Sequence, residues 1–357
     1  MKKRIAALVL CLALVFALAA CGEAAPATES AAPTESAAPV APADVPDLEV
    51  SANLDFGTGS STGTYYGFGG ADGPTAIWLT GNYGFGGAFG TYISNNTGVT
   101  ITAVTTAGSQ ANIEMVDAGE YDLGFVQSDV MSYAYSGTNL FTEPVTGFTT
   151  LAALYMEQVQ IVTLDPEIKT VGDLAGKTVS IGAVGSGVYF NAIDVLGAYD
   201  LTEDDISPVY QNFDDSVESL QDGRIDAAFI VAGAPTTSIV QLATTQEVHL
   251  VSLDQEHIDK LIEVSPYYSA YTISADVYGT AEDCTTVAIS AVLIGRADLD
   301  PDVAYTIVYT LFQNADKISH AKAAELSREF GASVTDVPYN EGAARYFEEQ
   351  GFTVPTA

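Results

Sequence analysis

The chain has 357 residues and a formal net charge of −34, because 46 aspartate and glutamate residues stand against only 12 lysine and arginine residues. So acidic a surface disfavours binding to nucleic acid or to anionic lipid, and it offers no electrostatic funnel for anions. After the N-terminal segments, about 300 residues remain, which is enough for two lobes.

The first 20 residues predict a secretory signal that ends at a lipidation site. Three basic residues at 2–4 precede an apolar run at 5–18 that is too short for a good membrane span. Cys21 directly follows Leu-Ala-Ala, as in a bacterial lipobox, in which the cysteine carries lipid and becomes the mature N-terminus. We therefore expect a protein anchored to the outer face of the cytoplasmic membrane, in the periplasm if the cell has an outer membrane. An ordinary signal peptide with a chance cysteine is the alternative.

Residues 21–50 are rich in alanine, proline, serine, threonine and glutamate, and they predict a disordered tether. Such a composition cannot bury a core, so the tether would hold the folded part away from the membrane. Cys284 is then the one cysteine of the folded part, which excludes an internal disulfide and is typical of a buried, inert thiol.

From residue 51 onward, strand patterns alternate with helix patterns. The predicted strands lie at 54–56, 99–104, 121–126, 148–154, 159–164, 178–182, 209–210, 225–232, 248–253 and 285–295. The predicted helices lie at 109–118, from 128, at 168–177 (short, with a turn), 188–199, 214–222, 236–243, 302–320, 321–330 and 342–350. This order implies an α/β protein with mostly parallel sheets and helices on both faces. We expect lobe I at 51–157, lobe II at 158–264, and a return strand with the rest of lobe I at 265–357.

Four segments place glycine, hydroxyl or amide groups between a strand and a helix, at 57–66, 126–129, 183–187 and 232–237. The first N–H groups of a helix lack partners within the helix, and the helix dipole favours anions there. Capping alone explains any single turn of this kind, but four turns in two lobes indicate a ligand cleft beyond the carboxyl ends of the strands. Tyr268, in an aromatic cluster at 266–271, either lines this cleft or only packs.

No arrangement in the sequence supports catalysis. His249, His257 and His320 are isolated, and none has a partner at metal-ligand spacing. The glycines at 57–59 do not form a dinucleotide fingerprint, and residues 185–187 do not form a nucleophile elbow. We therefore expect no enzyme, no catalytic residue, no metal and no cofactor.

Taken together, six segments resemble the TAXI-type solute receptors of TRAP transporters. They occur in family order, and they are GTGSSTGTYY (57–66), TTAGSQANI (105–113), AGEYDLGFVQSD (118–129), IGAVGSG (181–187), DGRIDAAF with AGAPT (222–236) and AVLIGRADL (291–299). The resemblance implies a two-lobed, type II periplasmic-binding-protein fold that closes on a small carboxylate or amino acid, such as glutamate, glutamine or a dicarboxylate. It also implies a monomer that delivers this ligand to a sodium-driven TRAP permease with fused small and large subunits. An extracytoplasmic sensor or an enzyme on the same fold is the alternative.

Carried over to this chain, the resemblance implies ligand contacts at Thr58, Thr62, Tyr65, Gln127, Ser128, Ser186, Pro235 and Thr236. None of the four turns contains an arginine, so hydroxyls and helix N-termini would have to hold a carboxylate. The sequence departs from the family at Val188, where a threonine is common.

A second departure is an insertion at 72–88. The length of this insertion equals the offset between two copies of the hexapeptide YGFGGA, at 66–71 and 83–88. Two alternatives remain open for the site. We favour the first copy, because it completes the 57–66 pattern. If the second copy fills the site, Thr80 and Tyr83 replace Thr58 and Tyr65.

Overall fold

The computed structural model describes residues 52–58, as a backbone strand, and residues 84–356. The signal segment, Cys21, the tether and residues 59–83, including Thr62, Tyr65, Thr80 and Tyr83, lie outside the described residues.

Strands and helices alternate through most of the described chain. The strands are β1 (Ala52–Thr58), β2 (Val99–Thr105), β3 (Leu123–Gln127), β4 (Phe148–Thr163), β5 (Thr178–Ser180), β6 (Ser207–Val209), β7 (Ala227–Ala232), β8 (His249–Leu250), β9 (Ser269–Ile273) and β10 (Cys284–Arg296). The helices are α1 (Phe85–Asn96), α2 (Ser109–Asp117), α3 (Ser128–Ser136), α4 (Gly187–Ala198), α5 (Phe213–Gln221), α6 (Thr237–Ala243), α7 (Gln255–Val264), α8 (Pro301–Gln313), α9 (Arg328–Gly331) and α10 (Glu341–Glu349). Short 3-10 helices lie at 171–174, 203–205, 275–277, 315–317 and 321–325.

Side chains fix where several of these helices begin. Asn212 caps α5 by accepting a hydrogen bond from the Asp215 N–H, and Asp254 caps α7 in the same way from the His257 N–H. Asp300 caps α8, whose first residue is Pro301. Local side-chain hydrogen bonds therefore mark these helix starts.

The strands form one continuous sheet in the order β2-β1-β3-β10-β4-β7-β5-β6, with β8 beside β4 and β9 beside β10. Two three-stranded parallel groups, β2-β1-β3 and β7-β5-β6, lie at its two ends. The strands β10 and β4 run between them and are antiparallel to each other and to β3 and β7. The predicted parallel pairing thus holds in each end group, and antiparallel strands connect the groups.

Two separate hydrophobic cores pack against this sheet. The first core contains residues from α1 to the start of β4 and from the end of β10 to the C-terminus, together with Phe190. The second core contains residues from Val159 to Ile289. Both β4 and β10 contribute to both cores and cross from one to the other near 155–159 and 289–291. Two α/β lobes joined by crossing strands are the type II periplasmic-binding-protein fold.

Several predicted elements need correction. The two strands predicted at 148–154 and 159–164 are one strand, β4, because the polar residues between them lie within the crossing strand and not in a turn. The helix predicted at 302–320 ends at Gln313, and the helix predicted at 321–330 is a 3-10 helix followed by the four-residue α9. Helices α1 and α7 and strand β9 were not predicted. Among the described residues, no helix is both long enough and apolar enough to span a membrane.

Candidate ligand-binding site

A small pocket lies where the ends of two helices meet the crossing strands. The first lobe contributes the turn before α2 and the end of β3, and the second lobe contributes the start of α4. Tyr155 and Glu157 of β4 and Ala291 of β10 complete the wall. The cavity volume is about 20 Å³, which is room for about one water molecule. The walls therefore contact one another closely around a polar centre.

Glycines allow the two turns to approach. Gly108 has a φ of 132°, and a Cβ at this residue would lie 2.9 Å from the Cα of Ser186. The Ala111 N–H donates to the Gly185 carbonyl at 3.2 Å, which joins the first turn of α2 to the turn before α4. A Cβ at Gly187 would collide with the side-chain amide of Gln127. A larger residue at either glycine would push the two lobes apart here.

Gln127 is the centre of the polar contacts in the pocket. It is the last residue of β3 and is 3% exposed. Its backbone N–H donates to Ser109 Oγ at 3.1 Å, and its Nε2 donates to Glu157 Oε2 at 3.3 Å. Its Oε1 is buried and has no hydrogen-bond partner among the described residues. A buried acceptor without a partner costs about 1–3 kcal/mol, so a donor on a bound molecule would be favourable here.

Glu157 is a functional candidate that the sequence did not reveal. It lies on β4 opposite Ile289 of β10, and it is 3% exposed. A buried carboxylate is costly unless donors or cations stabilise it. Burial, with the Glu157 and Glu325 carboxylates nearby, holds the pKa of Tyr155 well above its usual value, so this phenol remains a hydrogen-bond donor beside the pocket. In the sequence, Glu-Gln at 157–158 lies between two apolar runs, and this pattern resembles a turn between two strands.

Ser186 caps α4, as its place in the predicted turn implies. It is 2% exposed, and its Oγ accepts a hydrogen bond from the Tyr189 N–H at 3.3 Å. Its backbone lies in the pocket wall beside Gly187. The structure thus brings Ser186 and Gln127, two of the predicted site residues, to one pocket.

Pro235 and Thr236 lie in another polar network, which ties the turn before α6 to β4. Gln160 Nε2 donates to Thr236 Oγ1 at 3.0 Å, and the Thr236 N–H donates to the Tyr278 hydroxyl at 2.7 Å. The same Tyr278 hydroxyl donates to Gln160 Oε1. The peptide bond before Pro235 is cis. Neither residue lines the pocket around Gln127.

Lys322 is a buried cation at this same turn. It is 8% exposed, and its Nζ donates to Glu325 Oε1 at 2.6 Å and to the Ala234 carbonyl at 3.3 Å. It also lies 5.7 Å from the centre of the Tyr155 ring. Lys322 therefore joins the 3-10 helix at 321–325 to the turn before α6, next to the pocket wall.

The other predicted residues lie elsewhere. Ser128 begins α3, and its Oγ accepts a hydrogen bond from the Ser290 N–H at 3.3 Å. Tyr268 is buried among polar groups of α3 and α4, away from the Gln127 pocket. Thr58 ends β1, where its backbone pairs with Thr105.

Cys284 is buried, and burial raises the pKa of its thiol to about 11, as expected of an inert side chain. Among the described residues, no group of histidine, cysteine and carboxylate side chains could hold a metal ion.

Two lobes, crossing strands and a polar pocket at the end of β3 and the start of α4 define a two-lobed binding-protein fold. The chain belongs to the NMT1-like family, whose sequence pattern matches residues 56–351.

Several solved structures share the general outline at low identity. The alkanesulfonate-binding protein SsuA from Xanthomonas axonopodis pv. citri bound to MOPS is 13% identical, with 83% of each chain covered and a TM-score of 0.45. A putative L-cystine ABC transporter from Listeria monocytogenes is 16% identical, with 80% of this chain and 97% of that chain covered and a TM-score of 0.47. An ABC uptake transporter substrate-binding protein from Streptococcus pneumoniae with bound histidine is 16% identical, with 78% and 92% covered and a TM-score of 0.41.

Proposed function

We propose that the protein is a lipid-anchored extracytoplasmic receptor that captures a small carboxylate or amino acid between its two lobes. One observation carries this proposal: the N-termini of α2 and α4, which belong to different lobes, face one pocket that also contains the unpartnered Oε1 of Gln127. A ligand in this pocket would contact both lobes at once.

The helix N-termini favour an anionic group. The first N–H groups of a helix have no intrahelical partner and carry the positive end of the helix dipole. The protein as a whole is strongly acidic, so long-range attraction does not favour an anion. Local donors at 108–109 and 186–188 would therefore supply the affinity for a carboxylate.

Acceptors on the opposite wall favour a second, donating group. Gln127 Oε1 and the carboxylate of Glu157 can both accept hydrogen bonds, and the two side chains are in contact. An ammonium group has three donors and a positive charge, and it complements both acceptors. Between the two ligand classes, the pocket therefore favours an amino acid over a dicarboxylate.

The pocket must enlarge to admit such a ligand. A cavity of about 20 Å³ holds about one water molecule. Two contacts close the pocket, one between Ala111 and Gly185 and one between Gly108 and Ser186. Both contacts join one lobe to the other. Bending of β4 and β10 where they cross between the cores would separate these contacts without disrupting either core.

The transport partner is proposed from the sequence motifs. Their resemblance to TAXI-type receptors supports delivery of the ligand by a monomeric receptor to a sodium-driven TRAP permease with fused small and large subunits. Lipid on Cys21 and the tether at 21–50 would keep the receptor near that permease. Uptake of ligand into vesicles that contain the permease should then require both this receptor and a sodium gradient.

A melting experiment tests ligand capture. The purified full-length protein is heated with glutamate, glutamine, glutarate, succinate or branched-chain keto acids, each at millimolar concentration. Ligand at about a hundred times its dissociation constant stabilises the folded state by about 2.7 kcal/mol, which raises the melting temperature by several degrees. Absence of a shift with every compound in a broad metabolite panel would contradict the proposal.

A further inference from the structure

Away from the pocket, a fully buried carboxylate of one lobe and a half-buried carboxylate of the other share one tyrosine hydroxyl. Asp129 lies on α3, which packs in the first core, and Asp194 lies on α4, which packs mainly in the second. The Tyr268 hydroxyl is 3.3 Å from Oδ2 of Asp129 and 3.1 Å from Oδ2 of Asp194. Asp129 is fully buried, so water does not separate these groups.

One hydroxyl proton lies between two carboxylate oxygens. Tyr268 has one hydroxyl proton and can donate it to only one carboxylate at a time. Asn191 Nδ2 donates to Asp129 Oδ2 at 2.7 Å and lies 2.8 Å from the Tyr268 hydroxyl oxygen. If Asp129 carries a proton, it donates to Tyr268, and Tyr268 is then free to donate to Asp194. One additional proton therefore completes the chain of hydrogen bonds between the lobes.

The surroundings hold no compensating cation. The titratable groups that face Asp129 are Asp194 on α4, Tyr133 on α3, and Tyr267 and Tyr268 in the segment before β9. Tyr133 donates to Asp194 Oδ2 at 3.1 Å. Within the part of the chain that the structure describes, no lysine or arginine forms a hydrogen bond or an ion pair with these five side chains.

We propose that Asp129, Tyr268 and Asp194 form a proton-binding site between the lobes, which holds one proton while α3 and α4 are in contact. Burial and the nearby Asp194 carboxylate agree with this assignment, because they raise the pKa of Asp129 to about 8. The site is separate from the ligand pocket and is built from side chains that ligand capture does not use.

The proton site links lobe contact to pH. When the lobes separate, Asp129 meets water and its pKa returns towards the ordinary value of about 4. The joined form then binds one more proton than the separated form between about pH 4 and about pH 8. Raising the pH through this range therefore favours separation, and ligand capture should take up a proton. This coupling rests on the proposed function, whereas the proton site itself does not.

A carboxyl titration tests the site without any ligand. The full-length protein is labelled with ¹³C at the aspartate carboxyl carbons and titrated by NMR from about pH 4 to about pH 9. We expect one aspartate resonance to titrate several pH units above the others and to be absent in Asp129→Asn. We expect it to persist in Asp204→Asn, which removes an exposed carboxylate on a 3-10 helix of the second lobe.

Two results would overturn the assignment: titration of every aspartate below about pH 5, or persistence of the high resonance in Asp129→Asn. If Asp129→Asn does not fold, Asp194→Asn serves in its place. Removing the Asp194 charge should lower the midpoint of the high resonance, and an unchanged midpoint would contradict the shared site. Since no ligand is added, failure here is distinct from failure of the proposed receptor function.

Discussion

At the residue scale, the candidate site depends on a few side chains that pair hydrogen-bond donors with acceptors. Gln127 donates to Glu157 and leaves its own oxygen without a described partner, so the two residues present acceptors to the same small space. The helix N-termini on the other side present donors. Under the proposed function, this arrangement would distinguish an amino acid from a carboxylate that lacks an amino group.

Glu157→Gln should reduce this selectivity. The variant keeps an oxygen that can accept from Gln127 Nε2 but removes the negative charge. A hydrogen bond to a charged group contributes about 1.5–3 kcal/mol, so affinity for glutamate or glutamine should fall at least tenfold. Affinity for glutarate, which is glutamate without its amino group, should fall much less. Calorimetric titration of both proteins with both compounds measures the ratio, and an unchanged ratio would show that Glu157 does not contact the ligand.

At the element scale, local sequence signals predict where several helices begin, but they do not predict that β4 is one continuous strand. The helix starts at 128 and near 187 and 237 followed from glycine, hydroxyl and proline signals that act locally. The continuity of β4 could not be predicted, because Glu157, Gln158 and Gln160 interrupt its apolar pattern. These polar residues lie where the strand passes between the lobes. Gln158 and Gln160 form hydrogen bonds with the turn before α6, which a local pattern does not contain.

The same limit applies to helix ends and to the candidate site. Helix α8 stops at Gln313 although the amphipathic pattern continues. Asn314 precedes a 3-10 helix, and its Oδ1 accepts a hydrogen bond from Lys317 Nζ. Gln127 and Ser186 were predicted from the resemblance to TAXI-type receptors, each lies in a helix-start turn, and both line the pocket. Glu157 was not predicted, because only the tertiary structure brings it to the pocket wall.

Tyr278→Phe should weaken the attachment of α6 to β4. The variant leaves the Thr236 N–H and Gln160 Oε1 without the hydroxyl that both contact in a buried network. Each unsatisfied buried group costs about 1–3 kcal/mol, so the free energy of unfolding should fall by at least about 1 kcal/mol. Tyr271→Phe, at a 40% exposed position on β9, should change it by less than about 0.5 kcal/mol. Urea unfolding compares the two, and equal stabilities would contradict the assigned network.

At the scale of the whole molecule, two cores share two strands, and the polar contacts between the lobes fall into separate groups. Two helix N-termini meet Gln127 and Glu157 in the pocket, and in the Asp129 cluster one tyrosine hydroxyl lies between two carboxylates. The acidic composition of the chain leaves few cations for either group. Capture should therefore depend on helix N-termini and on pH rather than on an arginine clamp.

The central claim is that the ligand binds in the pocket around Gln127. Calorimetric titration of two matched glycine variants tests it most directly. The matched variants are Gly187→Ala, whose Cβ would collide with Gln127 in the pocket, and Gly197→Ala, in the last turn of the same helix, whose Cβ would meet nothing within 4 Å. We predict one site per chain in the unaltered protein, at least about a tenfold loss of affinity in Gly187→Ala, and unchanged affinity in Gly197→Ala, because only the first fills the pocket. Equal affinity in all three proteins would place the ligand elsewhere and contradict the proposed site.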